Sequence, residues 1–394
     1  MREIQIKRAV RTCLKCARCY MPPEACPIYE EFGIAPFSPA GIFYLADGIG
    51  DGYVEMTTET SVVPFSCTMC GACGENCFTG GELSSIIYDV PTRMIEAVRG
   101  MFVEAGKVPE EISDLFRSLI TFKNAWRLSK TERVAWEKKC EISVPDYAKE
   151  HNEFLLFVGD ASLIEETRHI PCVVAKLLRQ GGVDFGTFKE EEVDSGHEAR
   201  EMGEEELSKE LARENIEMFK QFSVKKVITL SPHDFDTFRH DYPELGMELE
   251  LYHYTEIISD LVKEGKIKLT KEIPKAVTYQ DPCHLGRYNH IYEGPRNVIK
   301  AIPGVEFREM VRNFNKGFCC GAGGGRMWYD PKASPRQRIS DIRVRDAKEV
   351  DADIIATACP YCLSNLKAAG NLDNISVIDI AELVLESTGR ETRK

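Results

Sequence analysis

Residues 67–77 read CTMCGACGENC, with Cys67, Cys70, Cys73 and Cys77 spaced as C-x2-C-x2-C-x3-C. Residues 13–27, CLKCARCYMPPEACP, repeat the first three positions at Cys13, Cys16 and Cys19, and Cys26 follows after six residues, just ahead of Pro27. A cubane [4Fe–4S] cluster takes one thiolate per iron, so a tight loop supplies three ligands and a distant cysteine closes the fourth corner. In paired runs of this kind the last cysteine of each run serves the other cluster. The spacing therefore predicts one cubane on Cys13, Cys16, Cys19 and Cys77, and a second on Cys67, Cys70, Cys73 and Cys26. A structural zinc site would show two C-x2-C pairs per metal; here each run holds three cysteines in register plus one. The longer spacer before Cys26, and Phe78 where a proline is usual, leave the ligand count intact.

Between the two runs, residues 27–66 are rich in Pro, Gly and acidic residues and read as a connecting segment. Beyond them, PTRMIEAVRGMFVEAG (91–106) and PEEISDLFRSLITFKNAW (109–126) carry helical periodicity. A mostly helical, ferredoxin-like domain is expected to about residue 150. Cys140 has no neighbour at ligand spacing and reads as a packed thiol, as does Cys172 within the apolar stretch PCVVAKLL.

From residue 154 the texture changes. FLLFVGD, VKKVITL, AVTYQD and DIIATA read as buried strands, each ending in a turn toward a helix, which is the α/β pattern. Pro171 and Pro295 suit first turns of helices. The two halves superpose in sequence: Asp160 on Asp281, Pro171 on Pro295, Gly196 on Gly321, Pro232 on Pro360 and Glu256 on Glu382, at offsets from 121 to 128. A shift this steady implies a duplication into two similar lobes. The second lobe carries Cys283, the adjacent pair Cys319 and Cys320, and Cys359 with Cys362. At those places the first lobe has DAS, Asp194-Ser195-Gly196 and Ser231-Pro232-His233-Asp234, so every cysteine is replaced.

The 394 residues carry 15 cysteines, and they clump: eight precede residue 78 and five lie between Cys283 and Cys362. With no secretory signal in the first 20 residues, ligation is a better reading than disulfides. No run of about 18 apolar residues occurs, so no membrane span is expected, and a cytoplasmic location follows. A net charge of −13 argues against nucleic acid. Residues 189–214, with eleven acidic and four basic residues, supply seven of those charges. Leu207, Leu211, Met218 and Phe222 recur at helical spacing there, which favours the solvated side of a helix over a docking face.

Five thiolates exceed what one tetrahedral ion takes, and adjacent Cys319–Cys320 suits a thiolate that bridges two irons. Gly321, Gly323, Gly324 and Gly325 would let backbone approach the sulfurs and offer N–H donors; the run lacks the lysine and Ser/Thr of a phosphate loop. The pattern C-x35-CC-x38-C-x2-C from Cys283 resembles the CCG cysteine-rich domain of heterodisulfide reductases, and with the N-terminal module the layout is similar to the D-type subunit of those enzymes.

The resemblance implies an α+β multidomain fold: a helical two-[4Fe–4S] domain over 1–150, a degenerate CCG-type α/β lobe over 151–270, and an intact one over 271–394. It implies a noncubane [4Fe–4S] cluster on Cys283, Cys319, Cys320, Cys359 and Cys362. Family members that cleave a heterodisulfide grip it between two such clusters, whereas this chain keeps one complete motif. Single-motif relatives serve sulfite-reduction-linked, lactate or glycolate oxidase and class II benzoyl-CoA reductase complexes. The expected function is an oxidoreductase subunit passing electrons between two cubanes and the noncubane cluster, which acts on a thiol or disulfide with His284 as proton donor. The alternatives are a pure relay, and for His284 a hydrogen bond to a cluster sulfur or backbone. With no flavin or nicotinamide motif, a flavin-containing partner is expected. Asp194, Ser195, Ser231, His233 and Asp234 are candidates for a further metal or substrate site, against the alternative of polar residues filling a vacated cleft.

Overall fold

In the computed structural model, residues 26–75, 90–331 and 335–389 are described, so Cys13, Cys16, Cys19 and Cys77 lie outside the described residues. The supposed connecting segment is itself helical, over Pro27–Phe32, Pro39–Gly50 and Thr58–Phe65. Each helix begins on a local device: Pro27 and Pro39 in first turns, the Ser38 hydroxyl accepting the Gly41 N–H at 3.0 Å, and Thr57 with Thr60 in a reciprocal capping box. They are too short, and too interrupted by Gly and Pro, to show a 3.6-residue pattern. The two expected helices run over Val90–Glu104 and Glu110–Phe122 and bury Ile95, Val98, Phe102, Ile112 and Leu119.

Two four-stranded parallel sheets follow. The first contains β1 (Phe154–Phe157), β2 (Phe185–Gly186), β3 (Lys226–Thr229) and β4 (Glu250–His253), in the order β2-β1-β3-β4. The second contains β5 (Ala276–Gln280), β6 (Glu306–Phe307), β7 (Ile354–Thr357) and β8 (Ser376–Asp379), in the order β6-β5-β7-β8. The same order twice is the duplication in three dimensions. Its capping chemistry repeats too, since Glu256 and Glu382 each accept the N–H of the residue that starts their helix at 3.0 Å. The lobes meet through equivalent helices: Ile170–Gln180 packs on Ile380–Ser387, and Tyr254–Lys263 packs on Glu293–Ala301. That reciprocal exchange gives the pair an approximate two-fold relation.

Strands buried on both faces explain the continuous apolar runs. On β1, Leu155 and Phe157 belong to a core with Phe188, Phe219 and Phe238, while Leu156 belongs to the main core. The main core runs without a break from Phe43, Phe65 and Phe102 of the helical module to Leu285, Phe318 and Leu363 of the second lobe. One correction concerns Cys140 and Cys172. They are not separate packed thiols but a disulfide pair, with Cα atoms 5.1 Å apart, joining the end of the helical module to the first lobe.

Candidate metal centre

Parallel strands deliver their following loops to one end of a sheet, and the second lobe uses that end for sulfur. Cys283 opens a one-turn helix after β5, and Cys359 caps the Pro360–Lys367 helix after β7 with Cys362 one turn in. Cys319 and Cys320 lie in the loop that follows β6. Cys319, Cys320, Cys359 and Cys362 are buried and Cys283 half-buried. The five thiols form one contiguous group, near enough to shift one another's pKa: Cys319 lies beside Cys283 and Cys320, and Cys362 beside Cys320 and Cys359. Hydrogen bonds from Cys319 and then Cys362 bring the Cys320 thiol down to about 5, against the opposing effect of burial. Soft thiol donors this dense, in a closed pocket, fit an iron–sulfur cluster with more than four protein sulfurs.

The glycines do two jobs rather than one. Gly321, at φ +98°, gives its N–H to Cys319 Sγ at 3.3 Å, as expected of a backbone approaching sulfur. The next three face elsewhere. A Cβ on Gly323 would lie 2.6 Å from the Thr68 carbonyl oxygen, one on Gly324 2.1 Å from that of Cys67, and one on Gly325 2.4 Å from Met202 Sδ. Gly323 and Gly324 seat the second lobe directly on the CTMC loop of the helical module, and Gly325 seats it on Met202 of the first lobe.

That seating brings the cysteine groups together. Cys26, Cys67 and Cys70 lie close enough to raise one another's pKa, and burial pushes the Cys67 thiol up to about 12. Cys70 also lies beside Cys319, so a cysteine of the ferredoxin-like module adjoins the five-cysteine group. Two buried arginines fix the junction. Arg99 donates to the carbonyls of Pro64, Cys67 (2.6 Å) and Glu201 (2.8 Å). Arg287 donates to the carbonyls of Cys70, Asn315 and Gly317, and its charge lies beside Cys70, Cys283 and Cys319. Neither arginine carries a sequence signal, because each acts on carbonyls distant in the chain.

In the first lobe the positions matching the cysteines hold Ser162, Asp194, Ser195, Ser231 and Asp234, all buried. The acidic segment 189–214 is not simply a solvated face. Glu205–Gln221 is the expected amphipathic helix, but Glu192, Asp194, Glu198 and Glu201 ahead of it are buried. Arg133 pairs with Asp160 at 2.7 Å and with Glu192 at 3.0 Å. Burial, and then the neighbouring carboxylates, push the Asp194 and Asp234 carboxyls well up. Helical periodicity reported the second half of the segment and was silent on the first.

His284 is fully buried. Its Nε2 lies 3.2 Å from Glu201 Oε1, its Nδ1 3.7 Å from Asp236 Oδ2, and its ring stacks on Tyr288 at 4.6 Å. Burial opposes its charge, but Asp236 and Glu201 override that and hold the imidazolium up to about 10. His233, expected with Asp194 and Ser231, points its ring at His197 and His284 instead. Glu201 and His197 went unnoticed in the sequence. The signal was their i,i+4 spacing in the Gly196–Glu201 stretch GHEARE.

The family described as "4Fe-4S dicluster domain" matches residues 9–80, and the CCG family, "Cysteine-rich domain", matches residues 161–233 and 277–367. The chain is 35% identical to "Probable iron-sulfur-binding oxidoreductase FadF" of Bacillus subtilis over 88% of its own length and 49% of that protein's. It is 35% identical to "EtfAB:quinone oxidoreductase" of Syntrophomonas wolfei, over 81% of this chain and 46% of that one. It therefore spans about half the length of these two relatives. Against the D-type subunit of the dihydromethanophenazine:CoB--CoM heterodisulfide reductase of Methanosarcina mazei, identity is 33% over 83% of this chain and 78% of that protein.

Proposed function

The chain belongs to the family of iron–sulfur oxidoreductases that includes the D-type subunit of heterodisulfide reductases, and from that premise we propose that it passes electrons between two cubane clusters and one noncubane cluster that meets a thiol or disulfide. The cubane ligands are Cys13, Cys16, Cys19 and Cys77 for one and Cys26, Cys67, Cys70 and Cys73 for the other; the noncubane cluster takes Cys283, Cys319, Cys320, Cys359 and Cys362. When bound, such a cluster exchanges single electrons and offers iron to a sulfur ligand. The nearness of Cys70 to Cys319 is the observation that carries the reading, because it brings the ferredoxin-like module up against the five-cysteine group. The protein's own residues hold that junction closed: Arg99 and Gly324 clamp the Cys67 loop, and Arg287 offsets thiolate charge. The proposed domain division is 1–150, 151–270 and 271–394.

Replacement of the first-lobe cysteines by Ser162, Asp194, Ser195, Ser231 and Asp234 favours a second reading, a relay that touches no substrate. Partners of the relay would be flavin-containing redox subunits of a cytoplasmic or peripherally membrane-attached complex. Among the described residues no helix is long and apolar enough to cross a membrane. The test is anaerobic. Protein prepared without oxygen should carry about twelve irons, four per cluster, and Cys319→Ser should lower that by about four while the cubane signals persist. A heterodisulfide or thiol that perturbs the remaining paramagnetic signal in the unmodified protein supports the substrate-binding reading. An unchanged signal with every disulfide tried leaves the relay, and iron clearly below twelve overturns both.

A further inference from the structure

Three histidines meet where the two lobes face each other, beside the five-cysteine group but separate from it. His197 opens the short helix His197–Glu201, His233 lies in the first turn of Pro232–His240, and His284 follows Cys283. None is more than 5% exposed. One ring nitrogen of each lies within 4.8 Å of the others, and the ring centroids are 4.2 to 4.8 Å apart. Imidazoles buried together like this need partners, and the partners fall on one side of each ring. His197 Nδ1 is 2.8 Å from Thr237 Oγ1, His284 Nδ1 3.7 Å from Asp236 Oδ2, and His233 Nδ1 3.9 Å from Glu198 Oε1.

That arrangement turns the Nε2 atoms of His197 and His284 toward Glu201. Those of His197 and His284 are buried without a hydrogen bond and converge on a single atom, Glu201 Oε1, at 3.5 and 3.2 Å. The other Glu201 oxygen accepts the Gly324 N–H at 3.1 Å, and Tyr361 donates to Glu198 at 2.8 Å, so both carboxylates are themselves held. Buried ring nitrogens that crowd one carboxylate oxygen without a well-aligned hydrogen bond are rare enough to need a cause.

We propose that His197, His233 and His284, each through one ring nitrogen, and Glu201, which lies beside two of them, bind one divalent transition-metal ion of borderline softness, zinc or ferrous iron, distinct from the iron–sulfur clusters. Three imidazoles and a carboxylate are the donor set that such ions prefer over hard cations. A ring whose far nitrogen faces Thr, Asp or Glu is the usual second layer of a histidine metal site. Bonds of about 2.0–2.1 Å require the nitrogens to close in from their present spacing, a movement within reach of side-chain rotation. In this site His284 acts as a ligand. A polar cavity lined by Arg93, Glu96, Arg200, Asp236 and Tyr288 gives access to His284. The site requires neither a particular cluster type nor a direction of electron flow.

The experiment is elemental analysis of the full chain purified without oxygen, with its clusters in place. One metal equivalent beyond cluster iron is expected. Zinc is read directly, and ferrous iron as a high-spin ferrous component with nitrogen and oxygen ligands in the Mössbauer spectrum. His233→Gln should lose that equivalent while the cluster signals stay. Thr237→Val, which keeps all four ligands, should retain the ion but bind it about 10- to 100-fold more weakly in chelator competition. If cluster iron accounts for all metal in the unmodified protein, or if both variants hold the extra equivalent as tightly as the original, the metal site is wrong. His284 then returns to the role of candidate proton donor.

Discussion

Arg287 sets a permanent positive charge among three carbonyl oxygens and beside three thiols of the candidate centre. Hydrogen bonds from a charged donor contribute roughly 1.5–3 kcal/mol each, and buried acceptors left without one cost a comparable amount. Arg287→Met should therefore lower stability by several kcal/mol, about 3 or more on those figures. It should also make the adjacent clusters harder to reduce, since a cation that favours the extra electron is gone. A potentiometric titration followed by paramagnetic resonance checks this: the midpoint should fall in Arg287→Met and recover partly in Arg287→Lys, which keeps the charge but loses the fork. Gly324 is the steric counterpart. At φ +64°, with the Cys67 carbonyl oxygen 2.1 Å from where a Cβ would stand, Gly324→Ala meets both left-handed strain and a backbone clash. The strain alone costs about 1–3 kcal/mol. Lower anaerobic thermal stability, with iron lost first from the helical module, is the expected result.

Among the elements, what the sequence made legible follows how each is buried. The strands β1, β3, β5 and β7 are sheet-central and buried almost throughout, so their mostly apolar runs stand out. β2 and β6 are two residues long and β4 is half-exposed, which leaves almost nothing for alternation to mark. The helices between the cysteine runs were hidden for the same reason: their starts are written in caps, not in periodicity. One cap yields a pH prediction. Asp379 starts the Ile380–Ser387 helix, accepting from the Ala381 N–H at 2.8 Å and the Tyr254 hydroxyl at 2.7 Å. Burial nevertheless pushes its carboxyl from 3.8 up to about 7. The folded chain thus holds a proton that the unfolded chain releases, and between pH 3.8 and 7 this group's contribution to stability declines as pH rises. The decline is at most about 1.4 kcal/mol per pH unit. Asp379→Asn keeps an acceptor at the cap and removes the titration. Its anaerobic unfolding midpoint should gain on that of the unmodified protein as pH rises from 4 to 8, and a constant difference across that range would show that Asp379 does not titrate this way.

Across the whole molecule, the sulfur chemistry was readable and its wiring was not. Cysteine spacing named thirteen candidate ligands because each motif is local, whereas Arg99, Arg287, Glu201 and the meeting of three histidines arise only when two lobes and a helical module close on one another. The same closure makes Cys70 the point of exchange. It stands in the CTMC loop with Cys67, lies beside Cys319 of the second lobe, and has its carbonyl held by Arg287. If electrons enter through the helical module, they must cross here, so Cys70→Ser should separate two quantities that are coupled in the unmodified protein. Direct chemical reduction of the proposed five-cysteine cluster by a small, freely diffusing reductant should be kept, because its proposed ligands are untouched. Reduction through the ferredoxin-like module by a protein donor should slow sharply. Arg287→Met, which shifts potentials without removing a ligand, should slow both routes together. Equal loss of both routes in Cys70→Ser would mean that the cysteine holds up the five-cysteine cluster itself, and unchanged rates in both would move the entry point of electrons away from the module altogether.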